Sequence, residues 1–340
     1  MPRLASIAIA VQVLLMSAVG CGDNASITED GGAAGMDGGA ALDGATPDAP
    51  VVADAAPEVD AGALSGGPTL LITEVALANN AREFIEIYNP TDATVDLGEY
   101  YLCDDDEYHL LPGAFGGGPG PVLLNNNSDP AMQFDFLVKF PDGAVIAPGQ
   151  VVVIALRFTD YFDALNINAD YGILQAPAAN AMVDPGGGNF VAIGGNLQLT
   201  NAGEMVALFR WDGVSDLVQD IDLVNVGMNS ASFNRIPSKT GVSVDGPDSD
   251  SIATRYAPDR GTIGLMDGMA PLGQSHKRIA PETGAEAFDG FGNGLTGQDE
   301  TSENLSLTWD LSANYTSASP GTVHPSLIPA GLRSSSPANP

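Results

Sequence analysis

Two short runs, Leu70-Leu-Ile-Thr-Glu-Val75 and Glu83-Phe-Ile-Glu-Ile-Tyr-Asn89, constrain this chain more than any other stretch of it. β-Branched and aromatic residues dominate both, and Ala78-Asn-Asn-Ala81 between them supplies turn formers, so two successive strands are predicted. In the second run Ile85 and Ile87 share one face while Phe84, Glu86 and Tyr88 share the other, which suits a strand opening a layered β core. Asn89-Pro90 ends it, because proline brings no N–H to a ladder.

With Val95-Asp-Leu-Gly98 and Tyr101-Leu102 added, this pattern resembles the opening of a lamin tail domain, an immunoglobulin-like β-sandwich of nuclear lamins and of many exported bacterial proteins. Pro148-Gly-Gln-Val-Val-Val-Ile154 resembles the family's turn and central strand, and its unbroken apolar run predicts burial on both faces. Leu197, Leu199 and Asn201-Ala-Gly203 lead into a strand at Met205–Trp211. Asp212-Gly213 is a two-residue hairpin signal before a strand at Leu217–Ile221. Trp309 and Ser319-Pro-Gly321 resemble the closing motif. The resemblance implies an all-β sandwich over residues 69–325 with insertions near 104–139 and 237–304, followed by a disordered tail at 326–340.

The first insertion carries Gly116-Gly-Gly118 and Asn125-Asn-Asn127 and is expected as an irregular surface loop. The second holds an internal repeat: Ser232-x-x-Arg235-Ile with Thr240-Gly241 recurs as Ser275-x-x-Arg278-Ile with Thr283-Gly284. Both copies resemble the family's late Ser-x-x-Arg strand, and chance similarity in a Gly/Ser-rich segment stays open beside that reading.

Ahead of the sandwich, Met1-Pro-Arg3 is followed by an apolar run to Met16 and by the small residues Ser17-Ala-Val-Gly20 before Cys21. That order predicts a signal peptide over residues 1–20, with a run too short for a spanning helix of about 20 apolar residues. A small residue before a cysteine resembles a bacterial lipobox, although Ala18 stands where leucine is preferred. The resemblance implies that Cys21 is acylated and holds the mature chain on the membrane, each buried methylene contributing about 0.8 kcal/mol. Gly22 in place of aspartate implies sorting to the outer membrane of a Gram-negative cell. An ordinary cleaved signal peptide is the alternative. Residues 21–68 hold nine acidic residues, from Asp23 to Asp60, without lysine, arginine or an aromatic side chain. They cannot bury enough apolar surface to offset backbone entropy, so a disordered tether of roughly 40 Å is expected.

A formal net charge of −31 removes nucleic acid from the expected partners, since no basic stripe is present to displace counterions from phosphates. An unknown protein or polysaccharide is expected instead, besides the membrane. Of two cysteines, Cys103 is left without a partner if Cys21 carries lipid, and is expected as a small buried apolar residue.

His109, His276 and His324 are scattered, and no nucleophile elbow or phosphate loop occurs. No catalytic residue and no enzyme activity are expected. His109 after Asp104-Asp-Asp-Glu107 is expected in a solvated acidic loop. Calcium is the one conceivable cofactor, because Asp104, Asp105, Asp106, Glu107, Asp245, Asp248 and Asp250 put hard oxygen donors on turns, although none fits an EF-hand. Glu74, Glu83 and Glu86 are expected to satisfy loop N–H groups or face solvent, not to act as an acid/base pair. The leading expectation is a membrane-anchored surface lipoprotein with a non-enzymatic binding or structural module. Its alternatives are a calcium-stabilised envelope or adhesion protein and a metal-dependent secreted hydrolase.

Overall fold

Leu71–Ala76 (β1) and Phe84–Tyr88 (β2) pair antiparallel, as their composition predicts. Ile85 and Ile87 enter the main core while Phe84 and Tyr88 pack on the other side of the sheet. Strict alternation along β1 would send Glu74 to the same face as Ile72. A bulge between Ile72 and Glu74 prevents this and sets Glu74 opposite Glu86.

The computed structural model describes residues 70–77, 81–121, 135–186, 197–199, 204–226, 237–256, 273–281, 305–310 and 318–329. They all fall within the unit Ala55–Pro340. The expected signal peptide, lipidation site and tether lie outside the described residues, as do Ser232–Arg235 and 330–340 of the expected tail.

Two sheets enclose the core. Val151–Arg157 (β7) pairs with β2, and its inner residues are all buried, as the unbroken apolar run predicts. Tyr171–Leu174 (β8) joins β7 in parallel, and His276–Lys277 (β13) covers part of β1, giving the order β13-β1-β2-β7-β8. The facing sheet has the order β10-β9-β4-β5, from Gln219–Val226, Glu204–Arg210, Tyr100–Cys103 and Leu137–Lys139. Ile72, Ile85, Ile87, Val152 and Ile154 from the first sheet meet Leu102, Val138, Val206, Leu208 and Val224 from the second in one apolar cluster. Two small ladders lie beside them, Val95–Asp96 (β3) with Val145–Ile146 (β6), and Ser243–Val244 (β11) with Thr254–Arg255 (β12).

Helices cover what the strands leave open. Phe158–Leu165 (α2) connects β7 to β8 and lays Tyr161 against Phe84, ring centroids 5.8 Å apart. Leu111–Gly116 (α1) follows a 3-10 turn at Tyr108–Leu110. Residues 104–121 and 135–139 are therefore not the irregular surface loop expected from their glycines. Tyr108 and Leu111 are buried with Phe209, Trp211 and Val244 in a second apolar layer behind β4 and β9, and 135–139 supplies an edge strand.

Two further expectations are corrected. The β9–β10 connection is not a two-residue hairpin, because the Asp212 carboxylate accepts from Val214 and Ser215 N–H groups and turns residues 212–215 into a wider loop; β10 starts at Gln219. Nor does the folded part end at 325. Leu327, in the 3-10 turn Pro325–Leu327, is buried against Leu71 and Tyr88.

Candidate functional site

Three polar constellations stand out, and each begins with a strand irregularity. The bulge in β1 leaves Ile72 without a regular ladder on its outer edge. Asp222, beside a second bulge in β10, accepts the Ile72 N–H at 2.6 Å, and Arg278 Nε donates to the Ile72 carbonyl at 2.8 Å. Arg278 Nη2 reaches both Asp222 oxygens at 2.6 and 2.7 Å, and Arg278 Cζ lies 5.1 Å from the Trp309 ring centroid. Both partners of this pair are fully buried. The pair joins β1 of one sheet to β10 of the other at the corner where the sandwich closes, so it belongs to the fold and not to a reaction.

Glu74 and Glu86 sit side by side on the outer face of the first sheet. Glu74 accepts from the Ser275 hydroxyl and from the Ser319 N–H at 2.9 Å, with Lys277 at 3.9 Å. Glu86 accepts from Thr73 Oγ1 at 2.6 Å and from the Gly321 N–H at 2.7 Å. Burial pushes the Glu86 carboxyl up to about 7, and neighbouring Glu74 adds to this. Burial raises Glu74 too, against the Ser275 and Ser319 bonds and the Lys277 charge that lower it. The two carboxylates clasp the Ser319-Pro-Gly321 loop.

The third constellation lies behind the second sheet. Buried Lys239 meets Asp220 Oδ2 at 2.5 Å and sits 4.9 and 5.3 Å from the Tyr108 and Tyr256 rings. Tyr108 donates to the other Asp220 oxygen at 2.8 Å. The Tyr256 hydroxyl donates to the His109 carbonyl at 2.9 Å and accepts from Val218 N–H at 3.0 Å. This polar node fixes the 104–121 and 237–256 segments onto the sheet. His109 is buried between the Tyr108 and Tyr256 rings, not in a solvated loop.

The Lamin Tail Domain family matches residues 64–219, a little under half of the chain. Residues 64–219 belong to that family. No curated protein matches the sequence. A crystal structure of a DUF4876 family protein from Bacteroides thetaiotaomicron is similar at 15% identity and a TM-score of 0.35, covering 75% of this chain and 69% of that one. The lamin tail assignment names an immunoglobulin-like sandwich, not a reaction.

The expected site residues scatter over the fold. Asp104 and Asp105 are buried, so the stretch Asp104–Glu107 is not the solvated set of donors it was expected to be. Asp105 Oδ1 accepts from Glu107 N–H and Asp104 Oδ1 from Phe136 N–H, while Asp106 and Glu107 are half-buried in the turn that follows. Asp245 and Asp248 do come together, but with Asp216 and not with Asp250. Among the described residues these three are the acidic trio with ligand oxygens within 4.8 Å of one another. Asp216 is already engaged by Gly246 N–H at 2.6 Å and by Thr254 N–H and hydroxyl at 3.0 and 2.6 Å, so it staples loops. Asp250 instead donates its N–H to Asp248 and accepts from Ile252.

Cys103 is buried and free, with a thiol raised well above its usual value by burial. His276 is buried, and burial pulls its imidazole down to about 4. His324 accepts from Ser326 N–H in the final 3-10 turn. Sequence reasoning missed Asp135, Glu204, Asp216, Asp220, Asp222 and Lys239. None of them sits in a motif, and Asp216, Asp220, Asp222 and Lys239 meet their partners through contacts distant in sequence.

Proposed function

We propose that this chain is a non-enzymatic surface lipoprotein, held on the outer membrane by acylated Cys21, whose lamin tail sandwich stands off on the 21–68 tether and binds a protein or polysaccharide. The observation that carries it is how the buried charges of the sandwich are used. Glu74, Glu86, Asp216 and Asp222 each hold backbone N–H groups of loops or strands, so these buried charges are spent on closing the sandwich. A membrane anchor has to come from lipid in this reading, because among the described residues no helix is long and apolar enough to cross a membrane. The acidic surface disfavours nucleic acid as partner.

Trypsin shaving of intact cells tests the reading. Peptides from residues such as 140–157 and 211–235 are expected in the supernatant, and their complete retention until lysis would remove surface exposure. A metal-dependent hydrolase receives no support from a specific observation.

A further inference from the structure

The bulge between Asp220 and Asp222 divides two neighbouring aspartates of β10 between the faces of their sheet. Asp222 turns to Arg278 and to the Ile72 N–H at the closing corner. Asp220 stands opposite Phe209 of β9 and joins the outer layer, where the Phe209 and Tyr108 ring centroids lie 5.0 Å apart. Lys239 enters the same layer from the 237–256 segment. The strands of that segment, β11 and β12, pair with each other and, among the described residues, with neither main sheet.

Lys239 is 0% exposed and Asp220 2%. Lys239 Nζ lies 2.5 Å from Asp220 Oδ2, with the Tyr108 and Tyr256 rings 4.9 and 5.3 Å from it. The other carboxyl oxygen, Oδ1, accepts from the Tyr108 hydroxyl at 2.8 Å. Burial, and after it the Asp220 charge, raises that hydroxyl well above its usual value, so it stays a donor. Tyr256 is fixed in turn by the His109 carbonyl and the Val218 N–H, which holds the second wall of the cage in place.

An amine and a carboxyl group held in contact are the two reactants of amide formation. Contact supplies proximity, and a dry site withholds the water that would reverse the bond. We propose that Lys239 and Asp220 condense to an amide, a covalent brace between β10 and the 237–256 segment. Nζ first passes a proton to Oδ2 along their contact, which leaves a neutral amine and a neutral carboxyl group. The Nζ lone pair then attacks Cγ, and the negative charge that develops on Oδ1 is met by the Tyr108 hydroxyl. The Cγ–Oδ2 bond breaks, Oδ2 takes a second proton from Nζ and leaves as water, and the Nζ–Cγ bond remains. The step consumes no oxidant, reductant or co-reactant, and it does not depend on lipid at Cys21.

The test is mass spectrometry of the full chain purified from cells, beside Lys239→Arg and Tyr108→Phe made the same way. Each mass is compared with that of its own sequence, and any modification at the N-terminus cancels between wild type and variant. The wild type is expected to fall short of Lys239→Arg by one water, about 18 Da. In a tryptic digest the amide protects the bond after Lys239, so residues 211–235 are expected joined to 236–255 as one branched peptide. Lys239→Arg keeps the cation and is expected to give the full mass and separate peptides. Tyr108→Phe keeps the ring and loses the donor, so a measurable fraction of unlinked chain is expected. Aspartate followed by glycine, as at Asp212-Gly213, can also lose water, and the branched peptide separates the two reactions. The wild-type digest decides by itself if a variant does not fold. A wild type of full mass that yields Ile236–Lys239 as a free peptide would overturn the proposal, as would an equal loss of water in Lys239→Arg. Tyr108→Phe linked as completely as wild type would overturn the role given to the Tyr108 hydroxyl.

Discussion

Single side chains decide how this sandwich closes. The Arg278–Asp222 pair is fully buried and also occupies the Ile72 N–H and carbonyl, so removing one partner strands the other. Arg278→Ala or Asp222→Ala is expected to cost about 3–5 kcal/mol in urea unfolding. Arg235→Ala provides the comparison within the repeat: a loss equal to that of Arg278→Ala would refute the assignment of the closing role to the second copy. Glu86 gives a pH prediction. Its carboxyl is raised from 4.5 to about 7, with Glu74 beside it, Lys277 on the far side of Glu74, and Tyr161 above from α2. Because its folded-state pKa is the higher one, the folded state binds the proton more tightly, and this contribution is full below pH 4.5 and fades as pH rises to about 7. Glu86→Gln should flatten that part of the stability-versus-pH curve. A curve of unchanged slope in the variant would contradict the account.

At the scale of elements, what was legible and what was not divides along a physical line. The pairing of β1 with β2, the inward face of Ile85 and Ile87 and the fully buried β7 follow from local periodicity, which neighbouring residues alone determine. The position of Glu74 does not, because a bulge shifts the alternation by one residue and nothing in Ile72-Thr-Glu74 announces it. The layer built from 104–121 and 237–256 was hidden for another reason. Its glycines and aspartates read as loop, and its burial depends on Tyr108, Lys239 and Tyr256 meeting partners far away in sequence. Helix α2 was missed although Phe158, Tyr161, Phe162 and Leu165 repeat at helical spacing. Tyr161 shows its importance. Its ring packs on Phe84 but its buried hydroxyl finds no partner. Tyr161→Phe is therefore expected to be neutral or stabilising by up to about 1 kcal/mol, and Tyr161→Ala to cost about 3–5 kcal/mol in the same unfolding experiment. A Tyr161→Phe variant less stable than wild type by that larger amount would mean that the hydroxyl is bonded after all.

For the whole molecule, the lamin tail sandwich and the acidic N-terminal segment have different tasks in the proposed reading. The sandwich is closed by buried pairs and clasps, and in that reading the segment before it would supply distance from the membrane. Under the same proposal, a chain with net charge −31 would gain solubility and standoff from the acidic residues of that segment. The central claim is that lipid at Cys21 carries all of this, and mass spectrometry of the N-terminal peptide from the envelope-purified chain tests it most directly. The account predicts a peptide that begins at an acylated Cys21 with residues 1–20 gone. An unmodified peptide that runs through Cys21, or one that begins beyond it, would contradict it.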